Sequence, residues 1–111
     1  MRIGIIGGLD RSARELEDVA RARGHELDTH TGVIAGKGAA SSLRSLVARS
    51  HLVLILTDVN SHNAVRMARR VARSLHVPVR ILRRLGPTQL DAYLQALEPA
   101  GAEPEGLRRV A

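Results

Sequence analysis

The chain has 111 residues, enough for one domain with one core and too few for two. Hydrophobic residues make up 44% of it, but there is no Phe, no Trp and a single Tyr, Tyr93, so the core must be aliphatic and base stacking on aromatic side chains is nearly unavailable. The absence of cysteine excludes disulfides, thiolate metal sites and cysteine nucleophiles, and the net charge of +6, carried by arginines with Lys37 as the lone lysine, favours anionic partners such as phosphates, carboxylates or nucleic acid.

Residues 2–6 are a short apolar run ending at Gly7 and Gly8, the pattern of a buried strand entering a tight turn. This opening lacks the charged start, long apolar run and cleavage site of a signal peptide. No apolar stretch approaches the roughly 20 residues of a membrane helix, so a cytoplasmic protein with no membrane partner is expected. Residues 12–23 set Ala13, Leu16, Val19 and Ala20 at helical spacing, with Gly24 as the C-terminal cap. Residues 25–31 read as a weak, polar edge strand, and residues 32–38 as a glycine-containing loop. Residues 41–49 predict a helix with Leu43, Leu46 and Val47 inward. Residues 51–57 (HLVLILT) are the strongest strand, apolar on both faces and therefore central. Residues 60–76 predict a helix with Ala64, Val65, Ala68, Val71, Ala72 and Leu75 on one face and Arg66, Arg69, Arg70 and Arg73 mostly on the other. A fourth strand spans residues 77–82, and a last helix spans residues 87–97 with Leu90, Tyr93, Leu94 and Leu97 inward. Residues 98–111 show no periodicity and are expected to be a mobile tail, which leaves residues 1–97 as a single α/β domain.

Strands alternating with helices imply a parallel sheet with right-handed crossovers, a three-layer sandwich of four strands in the order 2-1-3-4. In such sheets ligands bind outside the carboxyl ends of the strands, where the order reverses. That point lies between the first and third strands, and the segments richest in glycine and polar residues fall there. They are residues 7–12, 30–38 and 57–63.

Gly7 and Gly8 join a strand to a helix, where backbone N–H groups can approach a ligand and the helix start favours an anion. The segment is neither a GxGxxG fingerprint nor a P-loop, and a plain tight turn capped by Ser12 explains it as well. Gly36-Lys37-Gly38 lacks the flanking residues of a P-loop. The densest polar cluster is Thr57-Asp58-Val59-Asn60-Ser61-His62-Asn63, in which Asn60 or Ser61 would cap the helix. His62 would sit in the first helical turn, where the dipole disfavours a second positive charge, and an uncharged imidazole can ligate a metal or act as a base. His30 ends the second strand at the same edge, about 10 Å or two strand spacings from the end of the third. His25 and His51 fall at the opposite edge and His76 at a helix end, positions typical of structural or solvated histidines. Asp58, Ser61 and His62 are too close in sequence for an ordinary catalytic triad, and no carboxylate pair spaced for glycoside chemistry is evident.

At Gly7-Gly8, His30-Thr31-Gly32, the third strand with Asp58, and Ser61-His62-Asn63, the sequence resembles the bacterial family called domain of unknown function 2325 (DUF2325), over residues 1 to about 97. Ser50 and His51 depart from the small residue and acid that many members carry there. The resemblance implies a Rossmann-type or flavodoxin-like domain, associates some members with haem and low-oxygen physiology, and puts His30 and Ser61-His62 at a cofactor site.

Three functions are weighed in this order. The first is a haem or metal module with His62 as ligand and His30 as second ligand or distal group, serving as a gas or redox sensor. Ser61, Asn63 and Asp58 would stand beside the cofactor and Lys37 would pair with haem propionates. The second is an anion or nucleotide module using Gly7, Gly8, Lys37 and the helix start near Ser61. The third is a nucleic-acid binder using the Arg66 to Arg73 face. No residue pattern demands an enzyme, and a small sheet with exposed edges invites a homodimer.

Overall fold

The computed structural model describes residues 1–8 and 12–97; the expected tail, residues 98–111, lies outside the described residues. Eight elements alternate: β1 (Arg2–Ile6), α1 (Ala13–Ala22), β2 (Glu26–His30), α2 (Ala39–Arg49), β3 (Leu52–Leu56), α3 (His62–Leu75), β4 (Val79–Leu82) and α4 (Pro87–Leu97). The four strands form one parallel sheet in the order β2-β1-β3-β4. The fold is thus the doubly wound α/β sandwich that the alternation of patterns implies.

Register explains why two aliphatic cores suffice. Along β1 and β3, alternate side chains face opposite layers. Ile3, Ile5, Leu52, Leu54 and Leu56 pack with Leu16 and Ala20 of α1 and Leu90 and Leu94 of α4. Ile6, Val53 and Ile55 pack with Leu43, Leu46 and Val47 of α2 and with Ala64, Ala68 and Ala72 of α3. The small alanines let α3 lie close to the sheet beside α2. Gly4 does the same for α2: a Cβ there would collide with Leu46 and Ser50. Ser50, buried at that contact, donates its hydroxyl to the Leu46 carbonyl at 2.6 Å and so is not left unpaired.

The helix ends differ from expectation in instructive ways. α3 begins at His62, two residues later than the periodicity suggests, because Ser61 takes an extended conformation as N-cap and accepts the Ala64 N–H. α2 begins at Ala39, behind Gly38 in the left-handed region (φ 78°). Leu75 and Leu97, expected inward, are substantially exposed. Both are the last residues of their helices. α1 and α4 are tied by Arg23, whose guanidinium donates to both oxygens of Asp91 at 2.7 and 3.3 Å. This pairing holds the Asp91 carboxyl below its ordinary value of 3.8. No helix among the described residues is long and apolar enough to cross a membrane.

Candidate functional site

The carboxyl ends of β1, β2 and β3 meet at the reversal of strand order, and the polar residues there divide into two structures. One is a closed clasp. Asn60 sits at its centre, donating through Nδ2 to the carbonyls of Leu56 (2.7 Å) and Ile6 (3.2 Å) and accepting the Ser61 N–H at Oδ1 (2.8 Å). Ser61 donates its hydroxyl to the Gly32 carbonyl at 2.6 Å. The end of β3 is thereby bonded to β1 and to the loop after β2.

Glycine is required at two positions of this clasp. Gly7 has φ 104°, and a Cβ on it would come within 2.9 Å of the Leu56 and Val59 carbonyls and the Asn60 amide. Gly32 has φ 91°, and a Cβ there would collide with the Asn60 side chain. The sequence pattern assigns Asn60 only a capping role; its amide also reaches the Ile6 carbonyl, 54 residues away, which no local pattern displays.

The clasp also consumes atoms expected to serve a ligand. The Gly7 N–H donates to the His30 carbonyl and the Gly8 N–H to the Val59 carbonyl, both at 2.7 Å. Both amides expected in an anion nest are thus already hydrogen-bonded within the protein. His30 donates from Nε2 to the Ala39 carbonyl and accepts the Gly32 N–H at Nδ1, each at 3.0 Å. Because a carbonyl can only accept, the ring is the Nε2–H tautomer with both nitrogens used.

The second structure is an open cleft of about 330 Å³ on the α1 side of the clasp. Its volume lies at the small end of the range for ligand pockets, roughly 300–1,000 Å³. Ile5, Leu16 and Leu56 form an apolar floor, with Val59 and Leu85 on the walls. Thr29, Thr31 and Ser12 supply hydroxyl-bearing rim positions. Ser12 is the N-cap of α1 but makes no side-chain cap bond. Asp58, Arg83 and Arg84 close the far side. Asp58 is shared by the two arginines, at 3.5 Å to Arg83 Nε and 3.1 Å to Arg84 Nε. Among the described residues, one carboxylate against two guanidiniums leaves the rim net positive.

Of the residues expected at a site, Gly7, Gly8, His30 and Asp58 line this cleft. Ser61 belongs to the clasp. His62, Asn63 and Lys37 are exposed and not among the residues lining it. His30 and His62 therefore do not line one cleft. Among the described residues no group of three or more His, Cys, Asp or Glu side chains could hold a metal ion. The cleft does not fit haem: His30 is the one lining residue of a type that normally ligates haem iron, and both its nitrogens are bonded. The other histidines are placed as expected, His51 accepting the Arg2 N–H at 2.8 Å and His76 capping α3 in the left-handed region. Arg83 and Arg84 were missed in sequence. Their signal was present, since they directly follow a parallel strand and so must emerge at the same edge as Gly7 and Asp58.

This is a doubly wound α/β domain with a cleft at the switch point of its sheet. The chain belongs to the family described as "Uncharacterized protein conserved in bacteria (DUF2325)", whose profile matches residues 2–97. Neither the curated proteins nor the solved structures yielded a match.

Proposed function

We propose that this domain is a binding module for a small anionic ligand, a phosphate-bearing metabolite or nucleotide, held in the cleft between the start of α1 and the β4–α4 loop. The observation that carries this reading is the pair Arg83 and Arg84 facing the start of α1 across an apolar floor. A guanidinium pair and a helix start both favour an anion, and arginine matches phosphate geometry with two parallel hydrogen bonds. The apolar floor of Ile5, Leu16 and Leu56 suits an uncharged base or acyl portion of the same molecule. Asp58 holds the guanidiniums in place until an anion competes for them.

This is the anion-binding alternative of the sequence reading, moved from Gly7, Gly8 and Lys37 to different donors. Haem ranks below it because the cleft presents no free imidazole. The test is a thermal-shift panel of inorganic phosphate and common nucleotides at millimolar concentration, run beside a haem titration read by visible absorption. A ligand at 100 times its Kd should stabilise the fold by about 2.7 kcal/mol through mass action. The reading predicts a rise in melting temperature with at least one phosphate compound, lost in the Arg83→Ala/Arg84→Ala double variant. No rise with any of them, together with a histidine-ligated haem spectrum that disappears in His62→Ala, would reverse the ranking.

A further inference from the structure

Charge is segregated between the two helical layers. α1 mixes Arg14 and Arg21 with Glu15, Glu17 and Asp18, and Asp91 of α4 is taken up by Arg23. α2 and α3, which together cover the other face, contain no Asp or Glu at all. They carry six exposed arginines: Arg49 is paired with Asp28 of β2, and the other five, Arg44, Arg66, Arg69, Arg70 and Arg73, are in no ion pair among the described residues. The four on α3 are spaced i, i+3, i+4 and i+7, a single stripe about 10 Å long at 1.5 Å rise per residue. Arg44 extends the stripe onto α2, since it lines the same groove as Arg70. An ordinary solvated helix face intersperses both signs of charge; leaving five guanidiniums uncompensated costs self-repulsion that a polyanion would relieve.

The rest of that layer identifies the polyanion. The exposed serines of α2, Ser41, Ser42 and Ser45, line a second groove of the same layer with Arg49, on the β2 side of that helix. Arginine and serine side chains are donors that proteins use against phosphate oxygens. The chain has no Phe or Trp, and its one Tyr lies on α4 in the opposite layer, so this face offers no Phe, Tyr or Trp platform for unpaired bases. A second copy of the chain would oppose arginines to arginines. We infer that the acid-free α2/α3 face binds the phosphate backbone of duplex nucleic acid, without reading its sequence. This surface is separate from the cleft and does not depend on its ligand.

The test is fluorescence anisotropy of the full chain with a mixed-sequence 20-base-pair DNA duplex across a salt series. Four or five phosphate contacts give a slope of log affinity against log salt near −4, so affinity should fall roughly 250-fold between 50 and 200 mM salt. Arg69→Ala/Arg73→Ala should weaken binding about tenfold at the higher salt and reduce the slope by about two. Arg14→Ala/Arg80→Ala removes equal charge elsewhere and should leave the slope unchanged. Equal weakening by both double variants would reduce the effect to net charge and overturn the assignment. So would absence of duplex binding at 50 mM salt. Poly-glutamate or phosphatidylserine vesicles binding as tightly as the duplex at matched charge would overturn it in favour of an acidic protein or a membrane surface. Far-UV melting of each variant confirms that the fold is retained.

Discussion

The clasp and the cleft share the same strand ends and differ in what their polar atoms are doing. In the clasp, Asn60, Ser61, His30 and the Gly7 and Gly8 amides are bonded to one another's loops, and Gly7 and Gly32 have no room for a side chain. In the cleft, two exposed arginines share one carboxylate, and a helix starts without a side-chain cap. A residue type that suits ligand binding marks a site only if its donors and acceptors remain unspent. The polar atoms of the clasp stabilise the reversal of strand order; those of the cleft are left for a partner.

Breaking the clasp should have the largest consequences. Gly32→Ala combines a disfavoured positive φ with a collision against Asn60, and should cost about 3 kcal/mol or more in urea denaturation. An unchanged midpoint would mean that the loop yields easily and that the clasp is loose. Asn60→Ala leaves the Leu56 and Ile6 carbonyls without their side-chain donor, a loss of about 2 kcal/mol on the same measurement. Cleft substitutions should behave oppositely. Arg83→Ala/Arg84→Ala should change stability by no more than about 0.5 kcal/mol, because both side chains are exposed, while removing the ligand-induced thermal shift. Asp58→Asn sharpens the contrast further. It removes the carboxylate that competes for the arginines, so phosphate compounds should bind more tightly to the variant than to the wild type.

The smallest effect concerns acid. The Arg23 hydrogen bond holds Asp91 below its ordinary value of 3.8, so the folded state binds this proton less readily than the unfolded chain does. That contribution is complete above the unfolded value and is lost as pH falls through the lower folded one. Asp91→Asn should therefore flatten the acid limb of the stability profile below about pH 4 and leave its shape at neutral pH unchanged. Both groups are partly solvated, so the change should be modest.

The fold was legible because its signals are local. HLVLILT is apolar on both faces and can only be a central strand, and the alanine row of α3 announces a helix lying flat on a sheet. Parallel connection rules then settle the strand order. The site was half legible. The edge follows from topology, and Gly7, Gly8, His30 and Asp58 do line the cleft. Which of them could still bind was hidden, because it depends on contacts between residues far apart in sequence, such as Asn60 with Ile6 and His30 with Gly7. That His62 begins a helix at this edge was legible from the sequence; that it stands exposed beside the Ser61 cap and outside the cleft was not.

The most direct test of the division between clasp and cleft is an amide chemical-shift titration of isotopically labelled protein with the phosphate compound that gives the largest thermal shift. The account predicts perturbations concentrated at Ser12, Ala13, Asp58, Arg83 and Arg84, with His62, Asn63 and Lys37 unmoved. Perturbations centred on His62 and Lys37, with Arg83 and Arg84 silent, would contradict it.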